Sequence, residues 1–226
     1  DMIKTALIFA AGRGERMLPY TKNTPKPLLV VANKPLLAHH LNQLATAGIQ
    51  QVIINHAYLG YQIRQYVGNG QAFGLQVEYL PEPPGGLETA GTLAFIKKAN
   101  WVTDEILLCV NADIYTSYLP NSNQELADNT DGHLVLIPSQ AYLPPGNFGY
   151  CENNQRVLPT PKKFIFSGIC YYRLKALDDL YLGRYSIRDW LYSKASQSQL
   201  TAEIYDGSWF DVGHPDVLKR LNPDPA

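Results

Sequence analysis

Four short apolar runs recur through the first half of the chain: T-A-L-I-F-A at 5–10, Q-V-I-I-N at 51–55, L-Q-V-E-Y-L at 75–80 and I-L-L-C-V at 106–110. They constrain the fold more than any other feature, because each is the length of a strand and none is long enough for a helix of its own. The segments between them repeat apolar residues at helical spacing: Leu37, Leu41 and Leu44 after Pro35, then Ile63, Tyr66 and Val67 before Gly68. A third helix is expected over 89–99. Strand and helix in alternation predict a mostly parallel sheet with helices packed on its faces. The run at 106–110 is apolar at every position, as a central strand covered from both sides must be.

The later half is less regular. Strands are expected at 133–137, 149–152, 164–172 and 200–205, with short helices at 174–182, 186–193 and 215–221, so a mixed or antiparallel extension should continue the sheet. With 226 residues and no repeat or linker, the whole chain, 1–226, reads as one α/β domain. Its 19 basic and 20 acidic residues leave a net charge of -1. No global field then recruits nucleic acid or an anionic membrane, and any anion site must be local. No apolar stretch is long enough to span a bilayer, and a cytoplasmic address is expected. Cys109, Cys151 and Cys170 are too widely spaced for a zinc site and read as core thiols. The five histidines, His39, His40, His56, His133 and His214, form no spaced ligand set.

In an open α/β sheet, ligands sit beyond the carboxyl ends of the strands. Three polar stretches fall there: A-G-R-G-E-R-M-L-P-Y-T-K-N-T-P-K-P at 11–27, P-E-P-P-G-G at 81–86 and N-A-D at 111–113. They are predicted to converge on one site. The first is neither a Walker A loop nor a dinucleotide fingerprint, since Met17 stands where the third glycine of G-x-G-x-x-G would be. Gly12 and Gly14 still let the backbone turn sharply and aim N–H groups at an oxyanion, while Arg13, Arg16 and Lys26 supply charge for several phosphates. Pro19, Pro25 and Pro27 stiffen the loop and restrict where Lys26 can point.

The stretch from Ala10 to Pro27 resembles the signature of the sugar-1-phosphate nucleotidylyltransferases: a Gly-rich loop, then G-x-R-[LM]-x-P-x-T, then P-K. The likeness extends to L-E-T-A-G at 87–91, V-N-A-D at 110–113, F-S-G-I at 166–169 and W-F-D-V-G at 209–213. It implies a Rossmann-like fold with a nucleotide-binding part over about 2–115 and a sugar-binding part over about 116–226. The implied reaction is attack by a sugar 1-phosphate on the α-phosphorus of a nucleoside triphosphate, with release of pyrophosphate. No covalent enzyme intermediate is needed, so the protein's task is alignment and charge neutralisation. By resemblance, Arg16 clamps the departing pyrophosphate, Lys26 meets the α-phosphate, and Ala11, Gly12, Arg13 and Gly14 cradle the nucleotide. Asp113 and Asp211 match the pair that holds Mg2+ in the family, and two aspartates with phosphate oxygens and water suit that hard cation. Ala112 stands where the family more often has glycine.

The resemblance places base recognition at P-E-P-P-G-G-L-E-T-A-G, with Glu82 accepting from a ring N–H and Gly86 and Gly91 contributing backbone. On the sugar side, Asn111, Gly149, Ser167 and Gly168 match the family's contacts. Many relatives carry an E-K-P lysine there. This chain has T-P-K-K at 160–163, so either Lys162 or Lys163 stands in, or the phosphate relies on Lys26 and metal. Within the family, V-I-I-N-H-A-Y-L-G-Y-Q-I and the compact C-terminus look most like the N-acetylmuramate α-1-phosphate uridylyltransferases of peptidoglycan recycling, which makes UTP the expected nucleotide. Mannose-1-phosphate guanylyltransferases and glucose-1-phosphate thymidylyltransferases share much of the motif set. More distant readings are a CTP:phosphocholine cytidylyltransferase and a non-catalytic sugar-nucleotide sensor.

Overall fold

Strand β1 (Thr5–Phe9) is covered on both faces, and the sheet grows outwards from it in two directions. This computed structural model describes residues 2–140 and 143–223. After β1 come the two-residue strands β2 (Val30–Val31) and β3 (Lys34–Pro35), then α1 (Leu36–Thr46), β4 (Gln51–His56), α2 (Gly60–Val67) and β5 (Gln76–Pro81). Next are α3 (Glu88–Lys98), β6 (Ile106–Asn111), β7 (Ile114–Thr116), β8 (Gly132–Pro138), β9 (Gly149–Cys151) and β10 (Arg156–Leu158). The chain ends with β11 (Phe164–Arg173), α4 (Arg188–Ser196), β12 (Leu200–Ile204), β13 (Trp209–Asp211) and α5 (Pro215–Leu221).

Nine strands form one sheet in the order β5-β4-β1-β6-β11-β8-β12-β10-β9. The four apolar runs read from the sequence make its parallel half, β5-β4-β1-β6. Strand β11 pairs antiparallel with both β6 and β8, so the extension is mixed, as expected. Because side chains alternate along β1, Ile8 joins Leu37, Leu41 and Ile63 of α1 and α2 on one face, and Leu7 joins Leu93 of α3 and Leu191 of α4 on the other. The result is a single α/β domain with helices on both sides of a mostly parallel sheet. Cys109 and Cys170 face each other across β6 and β11 inside this core, whereas Cys151 is half-buried. Among the described residues no helix is long and apolar enough to cross a membrane.

Several short pieces were not foreseen. Residues Leu174–Asp179 form a 3-10 turn in place of an α-helix, and α4 begins two residues beyond its expected start at Ser186. The two-stranded ribbon of β7 and β13 was missed, as was β10. Strands of three residues carry too little periodicity to be read; they exist because a distant partner satisfies their backbone.

Helix α1 also buttresses the end of β6. His40 is buried and its Nε2–H donates to Ala112 O at 3.2 Å, while Gln43 donates to Thr116 O at 2.6 Å. Burial pushes the His40 imidazole down from 6.5 to about 4 against the pull of its backbone bonds. The folded-state value lies below the unfolded one, so the unfolded chain binds more protons in acid and stability is lost as pH falls from about 6.5 to 4. The full effect is about 3 kcal/mol. Urea titrations at pH 7 and pH 5 should show a smaller drop in His40→Gln, which keeps a donor without titrating.

Candidate active site

The chain leaves β1 towards β4 on one side and β6 packs on the other, so the carboxyl ends of β1 and β6 meet at a topological switch point. Ala112 N donates to Phe9 O at 3.0 Å, which lays N-A-D beside the exit of β1. A cleft of about 230 Å³ opens there. Ala11, Gly12, Gly14 and Lys26 line it from the opening loop, Asn111 and Asp113 from the end of β6 and the turn after it, Gly85 and Gly86 from the loop after β5, and Glu88 and Thr89 from the start of α3. The three polar stretches therefore do converge. Ala112 is not among the residues at positive φ, so glycine is not required at that position.

The opening loop is held by its own side chains. Gly14 sits at φ 72, and a Cβ on it would come within 3.0 Å of the Thr21 methyl. Thr21 is fully buried and its hydroxyl donates to Gly14 O at 2.6 Å. Met17 anchors the loop in a small apolar cluster with Leu29, Val31 and Val212. Arg13 stacks on Tyr58 at 3.6 Å from the ring centroid and donates to Thr21 O at 3.3 Å. It thus braces the loop from outside and is not among the residues that line the cleft.

The unforeseen ribbon brings two aspartates together. Asp211 pairs with Ile114, and Val212 N donates to Asp113 O at 2.8 Å. Lys26 Nζ lies 3.1 Å from Asp113 Oδ2, with the lysine side chain 11% exposed and the aspartate 41%. Burial and then the neighbouring Asp113 hold the Asp211 carboxyl above the usual carboxylate range, while Lys26 and Arg16 pull it back down. The guanidinium of Arg16 lies beside Asp211 and Gly213, in an adjoining pocket shared with His214 and Arg220. A cationic pair thus flanks an acidic pair across the switch point.

The loop after β5 is organised by a buried carboxamide that sequence reasoning missed. Asn55, 2% exposed at the end of β4, accepts from Ala10 N at 2.6 Å. Its Nδ2 donates to Glu82 Oε1 at 3.3 Å and to Thr92 Oγ1 at 3.2 Å. Glu82 Oε1 also accepts from Leu87 N at 2.9 Å, and Oε2 accepts from the Thr92 hydroxyl at 2.6 Å. Both carboxylate oxygens of Glu82 are therefore engaged within the protein. A polar residue closing an otherwise apolar strand was the only signal for Asn55. Asn55→Leu should cost about 2 kcal/mol, because it leaves buried partners unsatisfied. Asn55→Asp, which sets a second carboxylate against Glu82, should be similarly destabilised and partly rescued by Glu82→Gln; thermal melts of the three variants check this.

Gly91 lies inside α3, where a Cβ would collide with Gly183 O, so the absence of a side chain there serves close packing. On the other flank, Gly168 sits at φ 88 in an irregularity of β11 and packs against the Asn111 side chain. Ser167 is buried, its hydroxyl accepting from Ile169 N at 3.1 Å and its carbonyl from Trp209 Nε1 at 3.0 Å. That second bond ties β11 to the strand bearing Asp211. Gly149 packs under the 160–161 turn, 2.8 Å from Pro161 O if a Cβ is added. Lys162 lies over the Tyr192 ring at 5.0 Å, turned onto α4.

Comparison with known proteins agrees with this geometry. The profile of the nucleotidyl transferase family matches residues 5–225. The chain is 37% identical to the N-acetylmuramate α-1-phosphate uridylyltransferase of Neisseria meningitidis, over 95% of each protein. It is 30% identical to the catalytic subunit beta of Drosophila melanogaster mannose-1-phosphate guanylyltransferase, covering 59% of that longer chain. Among solved structures, a Bacillus anthracis protein assigned as a glucose-1-phosphate thymidylyltransferase has the same fold, with a TM-score of 0.80 at 22% identity over 97% of this chain and 94% of the other. A switch-point cleft holding Lys26 and Asp113, with Arg16 and Asp211 in the adjoining pocket, a family profile over nearly the whole length and a full-length relative at this identity together place the chain: it belongs to the nucleotidyl transferase family, as an enzyme of the sugar-1-phosphate nucleotidylyltransferase kind that its opening loop resembles.

Proposed function

We propose that the protein transfers a uridylyl group from UTP to a hexose 1-phosphate, N-acetylmuramic acid α-1-phosphate, releasing pyrophosphate and serving peptidoglycan recycling. The observation that carries the transfer is the meeting of Lys26, Asp113, Asp211 and Arg16 at the switch point, built from three segments distant in sequence. The choice of sugar and base rests on the Neisseria relative. In this reading residues 2–115 handle the nucleotide and residues 116–226 the sugar.

The residues fit a divalent cation. Asp113 and Asp211 crowd two carboxylates into one place, and the raised Asp211 carboxyl is what an added positive charge would relieve. The two aspartates would hold Mg2+, which when bound supplies charge neutralisation and a template for phosphate oxygens. Gly12 and Gly14 let the loop backbone approach the triphosphate. Arg16 holds the pyrophosphate end and Lys26 sits against the phosphorus under attack. Asn111 and the Gly168 backbone form the wall against which the sugar rests, and with Lys162 turned away the sugar phosphate relies on Lys26. In-line alignment of two bound phosphates is worth several kcal/mol without any covalent step.

The test is pyrophosphate release with each of the four ribonucleoside triphosphates and with dTTP, in the presence of Mg2+, against N-acetylmuramic acid, mannose and glucose 1-phosphates. Turnover with UTP and the muramic acid sugar, at least tenfold above other pairs, is the expected result. Preference for GTP with mannose 1-phosphate, or for dTTP with glucose 1-phosphate, would replace the substrates and keep the chemistry. Silence with every pair would overturn the reading.

A further inference from the structure

Glu82 is engaged within the protein, yet a second acidic residue, at the start of α3, lines the cleft. Glu88 lines the switch-point cleft, is exposed, and has no ion-pair partner among the described residues. Its backbone sits at φ 59, in the left-handed region that disfavours a residue with a Cβ.

The frame around Glu88 imposes that conformation. Tyr185 N donates to Leu87 O at 3.2 Å, Ala90 N donates to Tyr185 O at 3.0 Å, and Ile187 N donates to the Thr89 hydroxyl at 2.8 Å. Both neighbours of Glu88 are thereby pinned by segment 185–187. Strain of this kind persists only where its surroundings over-determine it, and it concentrates at ligand clamps.

An ionised carboxylate only accepts hydrogen bonds, and phosphates repel it. On a nucleoside triphosphate its partners are therefore donors at the nucleoside end. Gly86 lies deeper: it is buried, and a Cβ there would stand 3.1 Å from the Ala11 methyl, whereas Gly85 before it is exposed. Glu88 is at the outer rim. A planar base slots against the buried Gly86, leaving the ribose hydroxyls at the rim, where two vicinal donors match two carboxylate oxygens.

We infer that Glu88 is a specificity-determining residue whose carboxylate accepts hydrogen bonds from the ribose 2′- and 3′-hydroxyls, making the enzyme selective for ribonucleotides over 2′-deoxyribonucleotides. The inference rests on the nucleotidyl-transfer reading of this cleft. It assigns a division of labour, with Glu82 shaping the loop after β5 from beneath and Glu88, at the start of α3, reading the ligand.

Calorimetric titration of UTP and 2′-deoxy-UTP into wild type, Glu88→Ala and Glu88→Gly tests this, with melting temperatures taken alongside. Wild type should favour UTP by roughly tenfold or more, the range of one hydrogen bond to a charged group. Both variants should bind UTP more weakly by more than that factor, bind 2′-deoxy-UTP more weakly by a smaller factor because it keeps the 3′-hydroxyl, and lose the preference. Glu88→Gly relieves the left-handed strain, so it should melt no lower than wild type, which separates lost recognition from a damaged cleft. Retained ribose preference in Glu88→Ala overturns the inference, and so does a change of base preference with ribose preference intact. Wild type that binds UTP with variants that bind it equally overturns this inference alone. A wild type that binds no triphosphate overturns the functional reading and the inference with it.

Discussion

Asp211→Asn is expected to lower turnover by about 10³-fold, equivalent to about 4 kcal/mol of transition-state stabilisation, while the protein remains folded. Asparagine keeps the shape of the side chain and the β7–β13 pairing, which is made by backbone. What disappears is the charge that would hold a divalent cation. The substitution also removes a partly buried carboxylate that burial and Asp113 hold above the usual range, so the melting temperature should stay level or rise. Asp113→Asn should lose as much activity but behave differently as a fold, because it takes the partner from Lys26 at 3.1 Å. With Asp113 partly exposed, that loss is worth about 1 kcal/mol at most. The measurement is pyrophosphate release at saturating UTP over a Mg2+ titration, paired with thermal melts. Mg2+-dependent turnover within tenfold of wild type in both variants would refute the metal assignment.

Lys26→Met should lower kcat by about 10²- to 10³-fold, the usual effect of removing one pre-organised donor from a developing charge. The KM for UTP should rise much less, since in the proposed reading Arg16 and the loop backbone would still bind the triphosphate. Lys26→Arg should fail to restore activity. Pro25 and Pro27 flank the lysine and are themselves buried, so the backbone cannot shift to accommodate a longer, planar guanidinium. Steady-state kinetics on both variants, with circular dichroism to verify the fold, settle the outcome. An unchanged kcat with a raised KM would make Lys26 a ground-state binding residue only.

Much of this was legible in the linear chain. The four apolar runs became the parallel half of the sheet, and the three polar stretches meet at the carboxyl ends of β1, β5 and β6 because alternating strand and helix leaves such loops nowhere else to go. The individual roles within those stretches were less legible. Arg13 offers a cation to phosphate, and nothing near it in the chain records that Tyr58, 45 positions away, stacks on it. Glu82 offers an acceptor to a base, and nothing near it records that Asn55 and Thr92 hydrogen-bond its oxygens. Each of these residues has a chemistry compatible with several partners, and only packing selects among them.

The sequence by itself determined the class of the molecule: the strand and helix periods, the flexible cationic loop, and an aspartate just beyond the central strand. Those features depend on neighbours a few residues apart, where propensity and spacing act. The tertiary structure alone decided which charges share the cleft. Asp211 reaches Asp113 through a three-residue ribbon whose two strands are stable only together, and Glu88 lines the cleft because segment 185–187 holds its backbone in a conformation its own sequence disfavours. Such placements are made by backbone hydrogen bonds between segments far apart in the chain, and no local pattern records a partner of that kind.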